Sequence, residues 1–143
     1  MIRALRQSDW EEWRPLWDDF LRFYREELDS HTTATTFRRL CGRVDGMRGL
    51  IALNQDGLAV GFAHLLLHPS TWSATGYCYL EDLFVAKDAR GGQVGRELIR
   101  AVYEEADRAN ASRVYWQTQE FNGPARSLYD QVGHRTSFVV YER

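Results

Sequence analysis

Cysteine, methionine and proline are scarce in this chain, with two, two and three among 143 residues. Cys41 and Cys78 lie far apart, with no CxxC or histidine-rich spacing, so neither a disulfide framework nor a zinc site is expected. Long apolar runs are also missing. The aliphatic stretches, such as Leu65 to Leu67, are too short to cross a bilayer, and the amino terminus MIRALRQSDW lacks the apolar core of a signal peptide. The expected address is therefore the cytoplasm, with no membrane partner and both thiols reduced. Neither charge sign dominates: 18 Lys and Arg against 20 Asp and Glu leave a net charge of −2. No clustered basic surface is available to neutralise phosphates, so nucleic acid is not an expected partner. With no repeat, linker or low-complexity tract, residues 1–143 are expected to form one domain.

What is present is an ordinary globular balance, 44% hydrophobic and 27% charged. Ile2 to Leu5 reads as a first strand. Ser8 and Asp9 are N-cap candidates for a long helix, with Glu11 and Glu12 placed to complete a capping arrangement. Trp10, Trp13, Trp17, Phe20 and Tyr24 recur at steps of three and four, one stripe of that helix, and read first as core. Thr32 to Arg43 suggests a second, shorter helix. Gly49 to Asn54 and Leu58 to His68, joined by Gln55-Asp56-Gly57, form the clearest hairpin. Pro69 to Gly76 reads as a loop, Tyr77 to Val85 as the central strand, Val94 to Asn110 as a helix and Arg113 to Thr118 as a strand. Asn122 can cap a last helix ending at Gly133, and Arg135 to Tyr141 alternates as a final strand. The order β, α, α, β, β, β, α, β, α, β predicts an α+β fold, with helices on both faces of a central sheet.

The stretch LEDLFVAKDARGGQVGRELI, Leu80 to Ile99, carries the chemistry. An acid-bearing apolar strand enters an arginine and glycine loop that opens onto a helix. The first backbone N–H groups of a helix lack internal partners and carry the positive end of its dipole, so such a loop can cradle a phosphate. Glu81 and Asp82 stand on the strand feeding this seat. Together they suggest a transferase using a nucleotide-tailed cofactor. Neighbouring strand residues point to opposite faces, so both carboxylates can share one cleft only if the strand is bulged or splayed. His64 and His68, four apart in a strand and so roughly 13 Å from each other, cannot chelate one metal and read as surface or packing residues. No metal is expected.

The segments TGYCYLEDLFV, RGGQVG and VYWQTQEFNGPARSLYDQVG, in this order, resemble the GCN5-related N-acetyltransferases, specifically the histone and polyamine or diamine branch. The resemblance covers nearly the whole chain. It implies a mixed, mostly antiparallel sheet whose central strands, Tyr77 to Val85 and Arg113 to Thr118, splay apart to admit the pantetheine arm of acetyl-CoA. The implied cofactor contacts are the backbone of Leu83, Phe84 and Val85, the pyrophosphate loop Arg90, Gly91, Gly92, Gln93, Val94, Gly95 and Arg96, and Asn122, Ala125 and Arg126 across the arm. Gln93 departs from the family pattern, which has glycine there.

The resemblance further implies acetyl transfer by direct attack of a primary amine. An ammonium with pKa about 10.4 costs roughly 4.6 kcal/mol to deprotonate at pH 7, so a proton acceptor is needed. Glu81 matches the family base, leaving Asp82 as substrate anchor or alternative base. Tyr129 matches the family tyrosine that returns a proton to the departing thiolate, and a backbone N–H near Val85 would polarise the acetyl carbonyl. Tyr24, Glu26, Glu27 and Asp29 fall where the family binds its acceptor, with Trp116 and Gln117 as weaker acceptor candidates. Carboxylates beside an aromatic suit a cation, so the expected substrate is a polyamine, diamine or amino-acid-like amine. Protein lysine and antibiotic amines remain alternatives within the same chemistry. A non-catalytic acyl-CoA-binding module is the alternative from another class. A homodimer formed through Ser137 to Tyr141 is the expected assembly.

Overall fold

The computed structural model describes residues 1–143. Five strands form one sheet in the order β1 (Ile2–Ala4), β2 (Met47–Leu53), β3 (Ala59–Ser70), β4 (Ser73–Val85) and β5 (Val114–Tyr115). All neighbours are antiparallel except β4 and β5. Helices α1 (Trp10–Phe23) and α2 (Ser30–Gly42) cover one face, and α3 (Val94–Arg108) and α4 (Gly123–Val132) the other. This is the α+β architecture with helices on both faces that the sequence pattern predicts, and the mixed, mostly antiparallel sheet that the resemblance implies.

Each face has its own apolar core. The aromatic stripe of α1 buries Trp13, Trp17 and Phe20 against Phe37, Phe62 and Phe84. On the far side, Leu98, Ile99 and Val102 of α3 meet Leu65, Cys78 and Leu80. Truncating a fully buried ring such as Trp13 to alanine would cost about 3–5 kcal/mol, so the stripe is structural over most of its length. Only Tyr24, at its end, is exposed.

Three local expectations need correction. Asp9 stands at the N-cap of α1 but caps nothing there. Its carboxylate instead receives the Arg6 N–H at 2.7 Å and both Arg3 Nη groups at 2.8 Å, because a fork of charged donors outcompetes a single helix N–H. The expected loop from Pro69 to Gly76 shrinks to Thr71–Trp72, since β3 and β4 pair almost to the tip. The missing Pro69 N–H falls where the ladder is already irregular, between His68 and Ser70. The expected strand from Arg135 to Tyr141 is absent. That segment makes no backbone hydrogen bond, and the outermost strand, β5, is only two residues long. Phe138 and Tyr141 are consequently 75% and 92% exposed.

Candidate active site

The two central strands do diverge. β5 pairs with β4 only at Cys78↔Val114 and Tyr79↔Tyr115, after which β4 continues alone on that side through Leu83, Phe84 and Val85. The result is an open backbone edge facing α4. At its far end the Arg90 guanidinium folds back over Phe84 and Phe23, with centroid distances of 5.4 and 5.7 Å, and Arg90 Nε donates to the Val85 carbonyl at 2.9 Å. Arg90 therefore lines the β4 edge.

Beyond it, Gly91 has φ +84°, a left-handed conformation open to glycine at little cost. Gln93 stands at the N-cap of α3, exposed, with no side-chain cap. The first intrahelical bond runs from Glu97 N–H to the Gln93 carbonyl at 2.9 Å, which leaves the N–H groups of Val94, Gly95 and Arg96 free for an anion. A Cβ on Gly95 would lie 3.2 Å from Leu128 Cδ2, so this glycine lets α3 and α4 close around the loop. The Arg96 guanidinium is engaged with Gln131. Asn122 caps α4 by accepting from Ala125 N–H at 3.4 Å, and Arg126 reaches the Glu120 carbonyl. Three free helix N–H groups and an unpaired strand edge thus meet at one end of β4.

The placement of the carboxylates is decided by a bulge. Leu65 pairs with Leu80 and His64 with Asp82, so Glu81 is the extra residue on β4. Before the bulge, Cys78 and Leu80 point into the α3 core; after it, Leu83 packs on that core and Phe84 on the α1 core. A bulge sets two residues opposite one and shifts the alternation. Glu81 and Asp82 therefore both face the α1 side, opposite His64. Partial burial, followed by the Asp82 charge, raises the Glu81 pKa above the ordinary carboxylate range.

Tyrosines border the two carboxylates from both faces of the sheet. Burial and the nearby Asp82 raise the Tyr24 pKa, and Tyr129 in turn lies near enough to feel Tyr24. Burial pushes the Tyr129 phenol up to about 12. Its ring packs edge-on against Trp116 at 5.6 Å, and its hydroxyl makes no hydrogen bond within the protein. Tyr79 stacks on Tyr115 at 4.8 Å and feels Glu81.

The other acceptor candidates are dispersed. Glu27 is exposed in the α1–α2 connection, whereas Asp29 is spent capping α2 through Thr32 N–H at 2.6 Å. Trp116 lies on the α3 face with Tyr103 and Tyr129, and Gln117 is exposed beyond β5. Burial raises both cysteine thiols to about 11, so neither offers a thiolate at neutral pH. His64, read from sequence as packing or surface, is buried and bonded to Asp82. Its partner across the sheet depends on the bulged β3–β4 register, for which the sequence carries no local sign.

Residues 2–134 match the family model described as Acetyltransferase (GNAT) family. A D-amino-acid N-acetyltransferase of Saccharomyces cerevisiae is 35% identical over 144 residues, covering 100% of this chain and 89% of the yeast protein. An uncharacterized N-acetyltransferase of Bacillus subtilis is 31% identical, covering 98% of this chain and 94% of its own length. Among solved structures, an aminoglycoside acetyltransferase bound to a CoA-linked bisubstrate analog superposes with a TM-score of 0.86 at 20% identity, over 100% of this chain and 96% of that one.

Proposed function

The chain belongs to the GNAT family of acetyltransferases, and from that premise we propose that it acetylates a small primary amine that arrives as a cation, by direct attack in a ternary complex. The observation that carries this reading is the bulge that turns Glu81 and Asp82 to one face beside Tyr24, across from Tyr129. Two carboxylates in one partly desolvated cleft attract an ammonium group and give its proton a destination.

Acetyl-CoA supplies the activated acetyl group. The free N–H groups of Val94, Gly95 and Arg96 would hold its pyrophosphate, with Gly91 and Gly92 giving the loop its shape and exposed Gln93 flanking it. Leu83, Phe84 and Val85 would hold its arm by their backbone, with Asn122, Ala125 and Arg126 on the far side. Arg90, which donates to the Val85 carbonyl, would supply a guanidinium to the phosphates. Glu81 accepts the proton from the amine nitrogen, and Asp82 holds the amine in place. Tyr129 keeps its proton at neutral pH and donates it to the departing sulfur. The raised pKa of both thiols supports direct transfer rather than a cysteine-bound acyl group.

The acceptor is read as a polyamine, a diamine or an amino-acid-like amine. The activity named for the yeast relative supports the last of these. The exposed apolar run Phe138 to Tyr141 supports a homodimer in which a second copy covers it. The two unpaired cysteines are consistent with a cytoplasmic address. A thiol-release assay with acetyl-CoA across spermidine, diamines, D-amino acids, an aminoglycoside and a lysine peptide tests the activity. Turnover confined to the small amines is expected. Calorimetric binding of acetyl-CoA with no release for any amine would instead favour an acyl-CoA-binding module, and a monomeric mass by light scattering would remove the dimer.

A further inference from the structure

The proton chemistry above leaves His64 unused, yet this residue is 2% exposed and both of its ring nitrogens are committed. Trp13 Nε1 lies 3.1 Å from His64 Nε2. An indole nitrogen can only donate, so Nε2 must be the bare nitrogen of a neutral ring. Nδ1 then carries the hydrogen and donates it to Asp82 Oδ2 at 2.8 Å. The ring is packed on one face and along its edge. It stacks on Phe62 with centroids 4.4 Å apart and planes 11° from parallel, and Trp13 and Trp17 pack tilted against it at 5.8 and 5.5 Å.

Asp82 Oδ1 makes no hydrogen bond within the protein and is not sealed from solvent. A neutral donor suits this position for a physical reason. An arginine or lysine would orient the carboxylate equally well but would cancel the charge that draws in an ammonium, whereas imidazole fixes one oxygen and leaves the negative charge intact.

We infer that His64 is a positioning residue: locked by Trp13 in its Nδ1–H form, it grips Asp82 by Oδ2 and presents Oδ1 to the acceptor ammonium beside Glu81. This rests on the reading of the bulged carboxylates as the acceptor site. Trp13, in the middle of an otherwise structural stripe, thereby acquires a second role through its N–H.

Nitrogen-15 NMR of the ligand-free protein tests the lock without any acceptor. The expected result is a protonated Nδ1 and a bare Nε2, with a Trp13→Phe substitution releasing the ring to a mixture. An Nε2–H ring in the unaltered protein, or a tautomer indifferent to Trp13→Phe, would overturn the inference. Steady-state kinetics then test the role, with spermidine and D-phenylalanine as acceptors. His64→Leu is expected to raise the KM for the amine about tenfold while leaving that for acetyl-CoA unchanged, and His64→Asn, which retains an N–H near Nδ1, to recover most of the loss.

Combined with Asp82→Asn, His64→Leu should add less than about twofold, because both substitutions disable the same carboxylate. A purely structural histidine would instead give effects that multiply, equal losses for both substrates and no rescue by asparagine. If neither amine is turned over, the acceptor assignment fails while the tautomer measurement still decides whether His64 holds Asp82. If His64→Leu does not fold, the tautomer and the kinetics of Trp13→Phe decide the point.

Discussion

The two sides of β4 are built from different material. Toward α3 and α4, the proposed seat for acetyl-CoA is mostly backbone: an open strand edge, a left-handed glycine and three unpartnered helix N–H groups. Toward α1, the proposed acceptor side consists of side chains brought from distant segments: Glu81 and Asp82 from a bulge, Tyr24 from the end of α1, and His64 and Trp13 behind them. A backbone site depends on chain geometry and tolerates changes of side chain that preserve it. A side-chain site depends on every residue that aims its members.

The sharpest break of this contrast is Glu81→Gln. It should lower kcat/KM for the amine by about 10²–10⁴-fold, with calorimetric affinity for acetyl-CoA nearly unchanged. The pH dependence follows from the sign of the shift. Only ionised Glu81 accepts a proton and its pKa is raised, so activity is retained above that pKa and lost as pH falls through it. The acidic limb of kcat/KM should therefore sit above the ordinary carboxylate range and vanish in Glu81→Gln.

Tyr129→Phe comes next, with kcat reduced about 100-fold and acetyl-CoA affinity unchanged. Because its pKa is pushed up to about 12, Tyr129 should contribute no alkaline limb below about pH 10. A turnover near that of the unaltered enzyme would remove it from the acid role.

On the backbone side, Gly91→Ala forces a side chain into a φ of +84°. The cost of about 1–2 kcal/mol should weaken acetyl-CoA binding roughly tenfold, measured by calorimetry, and leave the amine KM alone. The smallest effect sharpens the comparison instead. Gln93 is exposed and caps nothing, so Gln93→Gly should change acetyl-CoA affinity by no more than about twofold. A large gain would show that the side chain obstructs the seat.

The legibility of the molecule follows the same division. The aromatic stripe of α1, the Asp-Gly hairpin, the glycine loop ahead of α3 and the Asn122 cap are local patterns, each carried by residues adjacent in the chain or one helical turn apart, and all appear where the pattern puts them. Alternation alone left Glu81 and Asp82 on opposite faces unless a bulge intervened. A bulge is a mismatch between two strands, and neither strand announces it by itself. The final strand is absent for a related reason: Arg135 to Tyr141 alternates correctly, but a strand exists only where it pairs with another, and this segment makes no backbone hydrogen bond. His64 was the largest omission, because its significance lies in Trp13, 51 positions away, and Asp82, 18 away.

Local periodicity, turn chemistry and the free ends of helices were therefore enough to announce the sheet, its flanking helices and a glycine loop opening onto free helix N–H groups, since the interactions that form them act over a few residues. The aim of two carboxylates into one cleft, and the indole–imidazole–carboxylate chain behind them, came from the register of β3 against β4 and the packing of α1 on the sheet. Those are agreements between segments remote in the chain, and they exist only once the segments have met.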